Sequence, residues 1–277
     1  MRFELHCHSI CSDGELTPKQ VAEQAANAGP LAAFALTDHD TCAGSEEAVA
    51  AALPTIRAVE MSCDWGGRTV HVLAFSTSEG HWSVLEQRLA DVRAARRGRF
   101  RQMAARLAQR GISVDAEPVL QAAGDRAIGR PDLARLLVTQ GVVGSLDEAF
   151  SKHLYDGGPV DLPHHNLPIE EALAVAGAAQ ARCALAHPHL YGKQSEALVR
   201  RYREAGLGGI EAYYARYDAQ ERQRWRRIAK RFDLVCTGGS DFHRPGDPSP
   251  GVELEPADAA QLANWLALPI ASAPSPK

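Results

Sequence analysis

The chain opens with Phe3-Glu4-Leu5-His6-Cys7-His8, an alternating run that predicts a strand with one buried face. Thr17-Pro18 signals the start of a helix, a cap residue followed by proline at the first helical position, and Gly29 stops it. Leu31 to Leu36 predicts a buried strand that ends in Thr37-Asp38-His39-Asp40. Gly44 to Leu53 predicts a short alanine-rich helix. Ile56 to Met61 and Val70 to Phe75 predict two further strands, joined by a turn at Gly66-Gly67.

The pattern then changes. From about Glu79 to Phe150 it is helical and rich in arginine and alanine, with breaks near Gly111, Gly124-Asp125 and Gly141. This predicts an inserted helical subdomain that exits through Gly157-Gly158-Pro159 to Pro168. Alternation of helix and strand resumes with a helix at Pro168 to Gln180, a strand at Cys183 to Ala186, a helix at Ser195 to Ala205 and a strand at Gly209 to Tyr213. A helix at Ala219 to Phe232, a strand at Leu234 to Thr237, a helix at Ala257 to Leu266 and a frayed tail at Ala271 to Lys277 complete the prediction. About seven strands, mostly separated by helices, favour a parallel barrel over a sandwich. A length of 277 residues fits one large domain, or one catalytic domain carrying an insertion.

Composition narrows the function classes. A net charge of −4 argues against a protein that coats nucleic acid, yet permits a small anionic substrate if metal ions supply positive charge locally. No run approaches the roughly 18 apolar residues of a membrane span, and the first residues lack the basic start and apolar stretch of a signal peptide. The six cysteines (7, 11, 42, 63, 183 and 236) form no CxxC pair, which points to reduced thiols in a cytoplasmic protein and away from a zinc-thiolate cluster.

The histidines are not scattered. His6 and His8 stand two apart on a predicted strand and so share a face. Asp13 follows in Cys11-Ser12-Asp13-Gly14, His39 follows the second strand, Glu60 lies near the end of the third and His71 is on the fourth. His187 closes the fifth as Ala186-His187-Pro188-His189, and Asp241 and His243 close the last as Gly239-Ser240-Asp241-Phe242-His243. The C-terminal rim of a parallel barrel is where active sites are assembled. Imidazole and carboxylate suit zinc, manganese or iron, with about three protein ligands per ion, so nine at one rim predict two or three metals with a bridging carboxylate. A single histidine is better explained as a satisfied core or surface residue. The set is not, because burying six histidines and three acids needs partners that metals supply readily. His81, His153, His164 and His165 fall in the insertion or its exit and keep the ordinary explanation. Asp38, beside His39, suits either an orienting role or a plain helix-capping or loop role.

Together, His6-x-His8, Ser12-Asp13-Gly14, Thr37-Asp38-His39-Asp40, Glu60, His71, Ala186-His187-Pro188 and Ser240-Asp241-Phe242-His243 resemble the PHP (polymerase and histidinol phosphatase) family. The likeness is strongest to its bacterial branch with a helical insertion, which includes 3′,5′-nucleotide bisphosphate phosphatases and 5′-3′ exoribonucleases. Gly129-Arg130-Pro131-Asp132 inside the insertion is similar to that branch too. The resemblance implies a distorted (β/α)7 barrel, residues 1–78 and 166–277, with residues 79–165 inserted as a lid over the substrate. It also implies a cluster of two or three divalent ions, most often manganese, with zinc or iron as alternatives.

On that reading the chain is a phosphoric monoester hydrolase that removes the 3′-phosphate of nucleoside 3′,5′-bisphosphates, such as adenosine 3′,5′-bisphosphate, leaving the 5′-monophosphate. Trimming of short 5′-phosphorylated RNA, histidinol phosphatase activity and a non-catalytic binding module are the alternatives. Asp241, His187 and Arg130 are the candidate catalytic residues, with Asp241 or a neighbouring histidine carrying the proton to the leaving oxygen. Arg130 is the candidate grip on the second phosphate, since guanidinium holds phosphate in a bidentate fork. His189 suits either phosphate contact or an incidental rim position. The run Arg93, Arg96, Arg97, Arg99, Arg101 wraps several helix faces and predicts a solvated surface in preference to an RNA track.

Overall fold

The computed structural model describes residues 1–49, 53–76 and 82–268; side chains at Glu46 and Val49 are outside the description. In chain order the elements are β1 (Arg2–Glu4), α1 (Pro18–Asn27), β2 (Ala33–Phe34), α2 (Ala43–Val49), β3 (Ala58–Trp65) and β4 (Arg68–Ser76). Four helices follow: α3 (Trp82–Gln109), α4 (Glu117–Ala122), α5 (Arg130–Thr139) and α6 (Leu146–Lys152). Then come β5 (Leu167–Pro168), α7 (Ile169–Ala178), β6 (Ala181–Leu185), α8 (Gln194–Tyr202), β7 (Leu207–Tyr214), α9 (Ala219–Phe232), β8 (Val235–Gly239), β9 (Val252–Glu253) and α10 (Pro256–Trp265). His81 and the tail predicted at Ala271 to Lys277 lie outside the described residues.

The predicted starts and stops have visible causes. Thr17 caps α1 with a reciprocal capping box to Gln20, and Pro18 sits in its first turn. Helix α9 has the bounds its pattern predicts: Trp225, Ile228, Ala229 and Phe232 fall on one face and are buried. Burying each of the larger ones stabilises the fold by about 1.5–3 kcal/mol. Asp218 caps its start by accepting from the Glu221 amide at 2.7 Å.

The fold is mixed α/β, with parallel strands in both sheets. Among the described residues a three-stranded sheet has the order β2-β1-β9 and a six-stranded sheet the order β5-β3-β4-β6-β7-β8. The turn expected at Gly66-Gly67 is present, but the expectation of parallel strands fails at β4 and at β9, which is antiparallel to β1. β3 and β4 form an antiparallel hairpin through Gly66-Gly67, and β4 is antiparallel to β6 as well. The direct turn reverses the chain, whereas a parallel neighbour needs a crossover of a dozen residues or more. Glu60 and His71 therefore lie inside strands of the hairpin and not at strand ends.

Phe3, Leu5, Met61, Phe75, Leu185 and Tyr213 belong to the main apolar core between sheets and helices. Residues of α3 to α6 build a separate one around Phe100, Met103, Leu107, Leu120, Leu133 and Leu137. No described helix is long and apolar enough to cross a membrane. All six cysteines are free thiols, four of them buried.

Candidate metal centre and active-site cleft

Strand β1 ends at Glu4, so His6 and His8 stand just beyond it, on a segment held from both sides. Thr37 donates its amide to Cys7 O (2.9 Å), Asp241 donates to His6 O (2.7 Å) and His8 donates to Phe242 O (2.8 Å). Gly239 is required here, since a Cβ at that position would lie 2.5 Å from the His6 Cβ. The loop carrying Asp13 folds back over His8, with Ser12 and Gly14 both donating to Ser9 O, and a Cβ on Gly14 would meet the His8 carbonyl at 2.8 Å. Asp38 fixes this loop by accepting from the Ser9 amide (2.8 Å), the Ser9 hydroxyl (2.7 Å) and the Ser12 hydroxyl (2.6 Å). Of the roles its sequence position suits, these contacts show the loop role, at the segment that carries Asp13.

All nine sequence-predicted residues converge. Glu60 is at the centre: Oε1 lies 3.0 Å from His187 Nε2, 3.1 Å from His71 Nδ1 and 3.3 Å from His6 Nε2. Its Oε2 lies 3.0 Å from His39 Nδ1 and 3.2 Å from His8 Nε2. Asp241 Oδ1 is 3.4 Å from Nε2 of both His6 and His8, and Asp13 Oδ1 is 3.3 Å from His243 Nε2. Ligand atoms fall into four overlapping sets, each within 4.8 Å: His8, Asp13, His39 and His243; His6, His8 and Asp241; His6, Glu60 and His187; His39, Glu60 and His71.

The donor set fits divalent ions. His6 Nε2, His8 Nε2, His39 Nδ1 and Glu60 Oε2 are buried without a hydrogen-bond partner, each a cost of about 1–3 kcal/mol if nothing else meets it. Ligand atoms about 2.0–2.2 Å from one ion stand roughly 3.3 Å apart at tetrahedral angles, close to the spacings here. Electrostatics agree. Burial opposes ionisation of Glu60, but His39, His71 and His6 outweigh it and hold the carboxyl well below its usual range. Burial drives His39 down to about 3, which keeps its ring neutral as a ligand must be. Burial opposes a charge on His8 too, yet the nearby carboxylates of Asp241 and Glu60 pull it up to about 10. His187 and Asp241 hold left-handed backbones (φ 27° and 54°), as does Asp40 beside His39 (φ 52°). Strain of roughly 1–3 kcal/mol per residue commonly accumulates at functional sites.

Asp13, His39, His71 and His187 face a cleft of about 680 Å³ whose lining also includes Arg96, Arg99, Arg130 and His164. The arginine run is therefore not the solvated face its spacing suggests. Arg93 and Arg99 are buried, and only Arg101 of the five is exposed. Acids distant in sequence account for this: Arg93 pairs with Glu86 and Asp125, Arg96 with Asp40, and Arg99 with Asp161. His164, given no role by its sequence position, is pushed down to about 4 by burial and the neighbouring arginines. Arg130 is in the cleft and bonded to Asp156 (2.5 Å) and Leu154 O (3.3 Å). His189 is not among the cleft-lining residues; its Nδ1 meets the Tyr217 hydroxyl at 2.8 Å.

No family model matches the chain. The 3′,5′-nucleoside bisphosphate phosphatase of Chromobacterium violaceum is 34% identical, over 88% of each chain. The 5′-3′ exoribonuclease of Haemophilus influenzae is 33% identical, over 88% of this chain and 90% of the relative. A solved structure of a Chromobacterium violaceum amidohydrolase with bound sulfate and no metal superposes with a TM-score of 0.82 at 33% identity, over 92% of each chain. A metal-dependent phosphoesterase structure from Bifidobacterium adolescentis gives 0.81 at 29%, over 95% of each. The chain belongs to the PHP family of metal-dependent phosphoesterases.

This PHP chain is accordingly an enzyme of phosphoester hydrolysis. Sequence reasoning missed several groups around its nine-residue cluster. Glu211 is fully buried against His6 and His187, Tyr214 donates to Asp241 Oδ2 at 2.9 Å, and the Tyr191 hydroxyl accepts from the His71 amide at 2.8 Å. A lone acid within the apolar run Ile210-Glu211-Ala212-Tyr213 was the available signal for Glu211. The tyrosines carried none, since a tyrosine at a strand end, as Tyr214, or in a short helical turn, as Tyr191, is ordinary.

Proposed function

We propose that this PHP enzyme removes the 3′-phosphate from nucleoside 3′,5′-bisphosphates, with adenosine 3′,5′-bisphosphate as the model substrate. The observation that carries the reading is one cleft lined by part of the histidine and carboxylate cluster and by Arg96, Arg99 and Arg130. Its volume suits a mononucleotide, within the roughly 300–1,000 Å³ of small-molecule sites. The relatives named a bisphosphate phosphatase and an exoribonuclease lend support to a nucleotide substrate with two phosphate-bearing positions.

His6, His8, Asp13, His39, Glu60, His71, His187, Asp241 and His243 are the residues we assign to two or three divalent ions, with manganese the preferred metal. Such ions, when bound, lower the pKa of water toward neutrality and neutralise charge on phosphoryl oxygens. Arg130, with Arg99 and Arg96 beside it, grips the second phosphate and so places the first at the cluster, in line for displacement of the 3′ oxygen. Asp241 is held ionised, burial being outweighed by His6, His8 and His243. That is the state in which it can ligate an ion, and on this reading Asp241 or a neighbouring histidine hands the proton to the leaving oxygen. We read the two sheets as arcs of a distorted (β/α)7 barrel, joined where Leu5 donates to Gly238 O and Cys7 bridges Phe242. Residues 79–165, with their own apolar core, are on this reading the lid.

The test compares phosphate release from adenosine 3′,5′-bisphosphate with mononucleotide release from a 5′-phosphorylated RNA oligomer, both with manganese. Strong preference for the bisphosphate is the expected result. Equal or faster trimming of the oligomer would overturn it in favour of an exoribonuclease. Activity surviving in both His8→Ala and Asp241→Ala would overturn the site.

A further inference from the structure

Glu211 lies on β7 where the pairing with β8 shifts register between Glu211 and Tyr213, an irregularity of the kind that re-aims side chains beside active sites. Its carboxylate is fully buried and has two separate partners, both in the cluster. Oε1 accepts from His6 Nδ1 at 2.9 Å, and Oε2 accepts from the His187 backbone amide at 2.6 Å. His6 and His187 belong to the same potential ion site, completed by Glu60. One carboxylate therefore fixes two of that site's three donors, by different means.

For His6 the means is the tautomer. A ring that donates from Nδ1 must present the Nε2 lone pair on its other side, and Nε2 is the atom that faces Glu60 and Asp241 at 3.3 and 3.4 Å without a hydrogen-bond partner. For His187 the means is the backbone. At φ 27° and ψ 60° its conformation is one an L-residue seldom holds, and the short 2.6 Å bond from its amide to Glu211 Oε2 helps to hold it there.

We infer that Glu211 is a positioning residue for the ion held by His6, Glu60 and His187, and that it controls occupancy of that position separately from the His39, Glu60 and His71 set. The inference rests on the metal-binding reading above. An amide at this position cannot serve both partners. With its oxygen toward His6 its NH2 opposes the His187 amide; with its oxygen toward His187 its NH2 forces His6 to accept at Nδ1 and carry its proton on Nε2.

The experiment uses the full chain as wild type, Glu211→Gln and Glu211→Asp, stripped with chelator and titrated with Mn2+. Ions per chain are counted by mass spectrometry and affinities are measured by calorimetry. The expected result is loss of one ion per chain from Glu211→Gln at micromolar Mn2+, or a weakening of one class of site by about 10–100-fold, with the site of His39, Glu60 and His71 unchanged. Glu211→Asp, which keeps both acceptor oxygens on a shorter arm, should recover part of that loss. In the zinc-loaded protein, 15N spectra of the histidine rings report the tautomer: His6 should carry its proton on Nδ1 in the wild type and lose that signature in Glu211→Gln. Unchanged stoichiometry, affinity and tautomer in Glu211→Gln would overturn the inference and leave the metal reading standing. A wild type that takes up no ion would overturn both. If Glu211→Gln proves unfolded by circular dichroism, the wild-type tautomer decides, and a proton on His6 Nε2 would overturn the inference.

Discussion

Removing the metal should give this enzyme a stability that peaks near neutral pH and falls on both sides, with each arm set by a different histidine. On the alkaline side His8 rises from 6.5 to about 10 on folding, because the nearby carboxylates of Asp241 and Glu60 outweigh burial. A histidine raised in this way contributes stability that is fully present below pH 6.5 and is lost as pH climbs through 10. The 3.5-unit rise corresponds to about 5 kcal/mol at 1.36 kcal/mol per unit. About 3 kcal/mol of that should be gone between pH 6.5 and 9. His6 is also raised, with Glu211, Glu60 and Asp241 overcoming burial, and adds to the same arm. On the acid side burial takes His39 from 6.5 to about 3, so its contribution is present above pH 6.5 and lost as pH falls through 3. Asp13 and Glu60, both held below their ordinary range against burial by surrounding histidines, act in the same direction. The maximum should therefore lie near pH 6.5. If ions bind as proposed they replace the protons on His6 and His8, so the loaded protein should be nearly flat from pH 6.5 to 9 and its metal affinity should climb with pH. Urea denaturation in chelator and in manganese, at half-unit pH steps, measures both curves. A metal-free stability that is flat across this range, or that increases toward pH 9, would refute the reasoning.

Three further predictions concern single residues. Arg96→Ala removes the partner of the fully buried Asp40 carboxylate, which it meets at 2.7 Å while also bonding the Ser62 hydroxyl at 2.6 Å. It should cost about 3–5 kcal/mol in a denaturation curve, and a loss under 1 kcal/mol would show the pair to be idle. Asp156→Asn should leave stability within about 1 kcal/mol, since Asp156 is 87% exposed. It should also lower KM for the bisphosphate by freeing Arg130, whereas Arg130→Ala should raise KM at least tenfold; steady-state kinetics on both variants check the pair. Gly239→Ala drives a methyl to 2.5 Å from the His6 Cβ. The variant should bind less manganese than wild type by elemental analysis, and full occupancy would mean that the segment yields easily.

What could be read from the sequence divides along physical lines. All nine cluster residues were legible because His, Asp and Glu recur just after or within apolar runs, and such runs pack together. Helix α9 was legible to the residue because an uninterrupted 3.6-residue period carries both face and length. Strand direction was not. An apolar run reads the same whichever way it points, so the antiparallel placement of β4 against β6 had to come from the fold. The arginines of α3 misled for a related reason. Their spacing resembles a solvated surface, and what holds Arg93, Arg96 and Arg99 inward is a set of acids between 7 and 62 positions away, none of them visible as a pattern. The full burial of Glu211 between two cluster histidines likewise depends on register between β6, β7 and β8.

The segment carrying His6 and His8 runs between the one that leads to His39 and the one that leads to Asp241 and His243. More than 230 positions separate the first pair from the last. A chain emerging from the ribosome N-terminus first thus exposes two histidines long before their companions exist. Nascent chains stalled short of residue 241 would lack every set that includes Asp241 or His243, while the set of His39, Glu60 and His71 would already be complete in sequence. On the proposed ion assignment, capture would follow the order in which the sets are completed, at residue 71, at 187 and at 241–243, and the last step would fasten the earliest part of the polypeptide to the latest.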